Sequence, residues 1–134
     1  MILKIVEDLI QTYNTSDPFR ICDYLDVLVV RVPLVKVNGF YQRFEDQDII
    51  YINQDLNEEE STLVLAHELG HLILHSDVNA LYLKSCNQLT SRYEIQANAF
   101  AILLLRDRLN LENEIPLLDW RYDNYNLINL IRHF

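Results

Sequence analysis

His67-Glu68-Leu69-Gly70-His71 is the stretch on which the reading of this chain turns. It has the pattern H-E-x-x-H. Residues at i and i+4 of a helix lie on one face, so His67 and His71 can direct two imidazole nitrogens at one ion. Glu68 stands roughly 100° further round the helix. From there it can hold a proton from a water on the ion without being a ligand itself. The pattern predicts a helical zinc site with Glu68 as general base. Chance composition and a purely structural metal helix are the competing readings, and the flanking sequence favours the catalytic one.

The helix has a clear start. Asn57 is the predicted N-cap, Glu58, Glu59 and Glu60 fill the first turn where the helix dipole favours anions, and Glu60 stands at the capping-box position. This acidic run has a complete structural explanation and receives no catalytic role. The helix is expected to reach about His75. Leu63, Ala66, Gly70, Ile73 and Leu74 form its predicted core face. Val64, His67, Glu68, His71 and His75 form a neighbouring face. Gly70 costs a helix roughly 1 kcal/mol against alanine, which suits a site where a second backbone packs closely.

Upstream, apolar residues at Ile2, Ile5, Val6, Leu9 and Ile10 predict a helix over Ile2 to Tyr13. Asp17-Pro18 reads as N-cap and first position of a short helix through about Leu25. Three strands follow: Val27 to Val32, Phe40 to Phe44, and Asp48 to Asn53, with a turn signal at Asn38-Gly39. The connections are too short for helical crossovers, so the predicted sheet is mostly antiparallel and packs beside the metal-binding helix. Downstream, Ser76 to Gln88 is irregular, and a helix runs from about Thr90 or Ser91 to Leu105. Its small residues Ala97 and Ala101 permit close approach. A break at Pro116 precedes a terminal helix from about Tyr125 to His133. The expected class is α+β, mainly helical, in a single domain over 1–134.

Bulk composition narrows the function. The chain has 134 residues, half of them apolar, and a formal charge of −9. Phosphate contact needs a basic face, so direct nucleic-acid or anionic-membrane binding is not expected. The acidic excess suits a basic protein partner. No apolar run reaches the roughly 18 residues of a membrane span, and acidic residues appear too early for a signal peptide. A cytoplasmic protein is expected, in which Cys22 and Cys86 are free, partly buried thiols. Cys86 is also the sharper, less favoured candidate for a metal ligand.

A catalytic zinc takes three protein ligands and leaves one position open. Glu94, on the next long helix, is the leading third ligand, with an ordinary surface glutamate as the competing reading. His75 is its rival. It stands one helical turn beyond His71, about 6 Å along the axis, and three side chains in a row surround one tetrahedral ion poorly. The helix dipole alone explains a histidine at that end. His133 has no motif around it and reads as solvated.

His67-Glu68-Leu69-Gly70-His71-Leu72-Ile73-Leu74-His75, followed by Glu94-Ile95-Gln96-Ala97-Asn98-Ala99-Phe100-Ala101, resembles the paired motifs HELGHxxxH and E-x-x-A-N-x-F-A of the ImmA/IrrE-type metallopeptidases. The resemblance covers roughly residues 1–106, leaving 107–134 as a helical tail. It implies a small zincin-like domain with His67, His71 and Glu94 as zinc ligands and Glu68 as general base. The chain departs from the family's usual Leu-Met-Pro after the second motif, reading Leu104-Leu105-Arg106-Asp107. That departure bears on substrate selection and regulation more than on the metal.

The mechanism implied is hydrolysis of a peptide bond, with Glu68 taking a proton from water and handing it to the leaving amine. His75, Tyr93, Arg92, Tyr41 and Tyr51 are candidates for oxyanion or supporting contacts. The strand near Ile49 to Asn53 is a candidate for pairing with an extended substrate. The resemblance implies an anti-repressor, carried by a phage or mobile element, that cleaves a basic helix-turn-helix repressor. One alternative is a zinc-bearing module that docks to a repressor or toxin without cutting it. A metal-dependent hydrolase of a non-peptide substrate ranks last. Oligomeric state is not legible.

Overall fold

The computed structural model describes residues 1–75 and 87–108. Within them the class is α+β: four helices and one three-stranded sheet. The elements are α1 (Ile2–Tyr13), α2 (Pro18–Tyr24), β1 (Leu28–Val32), β2 (Gly39–Phe44), β3 (Gln47–Asn53), α3 (Glu58–His75) and α4 (Asn87–Leu105). The terminal helix, the break at Pro116, Cys86 and His133 lie outside the described residues.

Local chemistry sets the boundaries. α1 stops where Asn14 adopts a left-handed conformation, which asparagine tolerates better than most residues. The Asp17 carboxylate accepts a hydrogen bond from the Phe19 backbone N–H at 3.0 Å, and Pro18 opens α2. At α3 the capping box closes both ways. The Glu60 N–H donates to the Asn57 side-chain oxygen, and the Asn57 N–H donates to the Glu60 carboxylate, each at 2.8 Å.

The sheet corrects one expectation. Its strand order is β1-β3-β2, with β1 and β3 parallel and β2 and β3 antiparallel, so it is mixed rather than mostly antiparallel. The reason lies in the turns. Asn38-Gly39 does not fold β1 back on β2; Gly39 instead begins β2 opposite Ile52. The tight hairpin sits at Glu45-Asp46, both at positive φ (48° and 66°), as a two-residue hairpin with the right twist requires. β3 then slots between the earlier strands. With both its edges paired, β3 cannot receive a substrate strand, which overturns that reading of Ile49 to Asn53.

Strand alternation gives the sheet two faces. Ile50 and Ile52 point inward and are fully buried. Tyr51 points outward, stacks on Phe40, and donates its hydroxyl to Gln42 Oε1 at 3.2 Å.

α3 is the axis of the core. Ser61 to Gly70 is buried on every side of the helix, so the expected division into a core face and a site face is only partly met. The sheet covers one side and α4 another. α2 packs on α3, and α1 packs on α4. Val6, Ile21, Cys22, Ile50, Ile52, Leu63, Leu65, Leu69, Phe100 and Ile102 all lie within this core. Cys22 is a free thiol, and burial pushes its pKa up to about 12, ahead of the nearby Asp23 and Asp17. The Arg31 guanidinium ties β1 to the start of α3 by donating to Ser61 Oγ at 2.9 Å.

Both glycines permit close approach. A Cβ on Gly70 would sit 3.0 Å from Phe100 Cδ1 and 3.1 Å from the Ala97 carbonyl oxygen. α4 therefore lies directly against α3 at this point. A Cβ on Gly39 would meet Val64 Cγ1 at 2.8 Å and the Tyr51 carbonyl oxygen at 2.9 Å. These two contacts bring β2 and α4 onto α3 in the turns that carry the histidines.

Candidate metal centre

α3 delivers the two imidazoles and α4 the carboxylate. One Glu94 side chain spans both rings: its Oε2 is 3.1 Å from His67 Nε2, and its Oε1 is 2.8 Å from His71 Nε2. Among the described residues these three form the one group of His, Cys, Asp and Glu side chains disposed to hold a metal ion, with one donor atom of each within 4.8 Å of the others. Two imidazole nitrogens and one carboxylate oxygen match a donor set that zinc takes in catalytic sites, with a fourth position left for water. The observed spacings are close to the roughly 3.3 Å that separates neighbouring donors around a tetrahedral zinc. The residues present therefore fit such an ion.

The charges in the cluster are strongly coupled. Burial pushes Glu94 upward, but hydrogen bonds from His67 and His71 and the charges of both rings outweigh it. They hold its carboxyl well below the usual range. His67 runs the other way. Burial opposes its charge, yet the Glu94 hydrogen bond, the charges of Glu68 and Glu94, and the neighbouring Asn98 raise its pKa. Glu68 is raised chiefly by burial and also by Glu94, against the pull of both histidines. Its Cγ lies 3.5 Å from where a Gly39 Cβ would stand, so the first residue of β2 roofs the side chain.

The other candidates separate by position. His75 is buried and its ring centroid lies 5.9 Å from that of His71 and 4.0 Å from that of Tyr93. Its Nε2 has no hydrogen-bond partner, and burial followed by the His71 charge lowers its pKa. It borders the cluster without joining it. Arg92 is exposed beside Tyr93 at the same end of α4. Tyr41 faces inward, but its hydroxyl donates to Asp48 Oδ1 at 2.9 Å. Tyr51 is a correction: period-two alternation turns it to the outer face of the sheet, away from α3.

Sequence reasoning passed over Asn98. It is fully buried one turn beyond Glu94, and neither polar atom of its side-chain amide has a hydrogen-bond partner. Its spacing of one helical turn from Glu94 was the available signal.

Comparison with known proteins gives the family. Residues 22–125 match the family described as Peptidase_M78, IrrE N-terminal-like domain. The chain belongs to this family. It is 36% identical over 107 residues to "Uncharacterized immunity region protein 2" of Bacillus phage phi105, covering 78% of this chain and 68% of that protein. It is 34% identical over 115 residues to "Metallopeptidase ImmA" of Bacillus subtilis (strain 168), covering 83% of this chain and 66% of that protein. The chain thus spans about two thirds of the length of these two relatives. Among the described residues, no helix is long and apolar enough to cross a membrane.

Proposed function

We propose that this chain is a zinc-dependent endopeptidase of zincin-like build, with His67, His71 and Glu94 as ligands and Glu68 as general base. The observation that carries the reading is the single Glu94 carboxylate spanning the Nε2 atoms of two imidazoles one helical turn apart. Membership of the family and the relative named as a metallopeptidase support it.

When bound there, zinc supplies Lewis acidity toward a peptide carbonyl and toward water. Glu68 takes the proton of the attacking water and passes it to the leaving amine. A buried carboxylate with a raised pKa suits a group that must accept a proton and release it again. His75 and Tyr93 border the cluster and are the best placed of the named candidates to donate to the developing oxyanion. Arg92 adds an exposed cation beside them.

For the substrate, β2 replaces β3. Its first residue covers Glu68, and among the described residues only one of its edges is paired. An extended peptide adding along the other edge brings its backbone to the site. The substrate we propose is a basic helix-turn-helix repressor in the cytoplasm. The formal charge of −9 favours a basic partner, and one relative carries an immunity-region name.

The test compares the zinc-loaded protein with Glu68→Gln on the repressor encoded beside it, following cleavage by mass spectrometry. Cleavage by the wild type that falls at least about 1000-fold in the variant, with repressor binding retained, is the expected result. Equal relief of repression by both proteins with an intact repressor overturns catalysis in favour of docking.

A further inference from the structure

Ligating histidines need their second nitrogen held. An imidazole that gives Nε2 to a cation carries its hydrogen on Nδ1, and an acceptor for that hydrogen fixes both tautomer and ring plane. Here His67 Nδ1 is buried and without a hydrogen-bond partner. The Asn98 side chain is buried too, with its oxygen and nitrogen both unsatisfied. Orphans of this kind each cost about 1–3 kcal/mol when nothing answers them, so their presence beside the metal cluster calls for an explanation.

Their positions supply it. Asn98 follows Glu94 by one turn, so both lie on the same face of α4. That face is pressed to α3 where Ala97 and Phe100 meet Gly70, next to the histidine turns. Asn98 is near enough to the His67 imidazole to favour its protonated form. Glu94 approaches the ring from its Nε2 side.

We propose that Asn98 is a positioning residue: its side-chain oxygen accepts the Nδ1 hydrogen of His67 and thereby aims the Nε2 lone pair at the metal. α4 then performs two tasks one turn apart, lending a ligand with Glu94 and orienting a ligand with Asn98. An amide suits the place better than a carboxylate. It accepts the hydrogen bond without adding a third anion beside Glu68 and Glu94, where burial and then the Glu94 charge already raise the Glu68 pKa.

The proposal rests on the metal reading above, and the test separates the two. Zinc affinity is measured by competition with a chromophoric chelator for the wild type, Asn98→Leu and Asn98→Asp, with thermal unfolding of each in the absence of metal. Asn98→Leu is expected to bind zinc about 10- to 100-fold more weakly at unchanged metal-free stability. Asn98→Asp retains an acceptor and is expected to recover most of the affinity. Wild-type protein that binds no zinc sinks the metal reading itself. Wild-type binding equalled by Asn98→Leu sinks the positioning role alone, as does a loss of affinity that only tracks a loss of metal-free stability. A measurement on the wild type needs no variant to fold: long-range 1H–15N NMR of the zinc-loaded protein is expected to place a slowly exchanging hydrogen on His67 Nδ1. A zinc-loaded His67 without that hydrogen also overturns the proposal.

Discussion

At the scale of single residues, Gly70 sets the separation of α3 and α4. Alanine there gains roughly 1 kcal/mol of helix propensity. It also drives a methyl group to 3.1 Å from the Ala97 carbonyl oxygen and 3.0 Å from Phe100. Backbone on one side and a core ring on the other give little, and overpacking costs about 1–3 kcal/mol. Gly70→Ala is therefore expected to lose about 1 kcal/mol net in urea unfolding and to weaken zinc binding by pushing Glu94 back. A variant more stable than the wild type, with unchanged zinc affinity, would show that α4 has room to move. The sequence alone makes the glycine conspicuous, but the neighbour that needs the space is visible only in three dimensions. The same divide runs through the site. His67 and His71 are legible because one helical period places them together. Glu94 stands on another helix, so its approach depends on packing: residue order makes it a candidate, and the family motif singles it out. Asn98 belonged to that motif, yet nothing in residue order says that it is buried against His67.

At the scale of elements, the bounds of α1 and α3 follow from periodicity and capping, and all three strands were legible from β-branched and aromatic runs. Pairing was not. Alternation tells which side chains share a face and says nothing of which strand lies alongside. Asn38-Gly39 has the stronger turn composition, while the hairpin formed at Glu45-Asp46, where cross-strand partners rewarded it. Arg43 and Asp48 face each other across β2 and β3, and the Asp48 carboxylate accepts from Arg43 Nε at 2.8 Å and from Tyr41. Arg43 holds Asp48 below the usual carboxylate range, Tyr41 assists, and partial burial opposes them. The sign follows from linkage. A depressed folded pKa contributes stability above the unfolded value near 3.8, and that contribution is lost as pH falls through the folded value. Asp48→Asn is thus expected to destabilise modestly at pH 7, with the gap from wild type closing below about pH 4. Urea unfolding at several pH values measures it, and a gap independent of pH would mean that the charge is irrelevant.

At the scale of the whole molecule, the candidate metal joins α3 and α4, which otherwise meet through packing and the contacts of Glu94 with His67 and His71. An ion gripped by α3 and α4 binds the folded state and not the unfolded one, so it must stabilise. At a hundredfold excess over its dissociation constant, zinc is expected to add about 2.7 kcal/mol and raise Tm by roughly 10 °C. His71→Ala should lose most of that increment together with bound zinc, read by calorimetry and metal analysis. An undiminished zinc content in the variant would mean that the ligands are misassigned.

The strand order has a temporal consequence. β1 leaves the ribosome first but has no sheet partner until β3 exists, because β3 is the neighbour of both other strands. The β2–β3 hairpin closes over two residues and can zip within microseconds, whereas β1 must wait to dock across the parallel seam, which is more distant in sequence. The rate-limiting search in folding is accordingly expected to be the arrival of the α2–β1 segment at a hairpin already made.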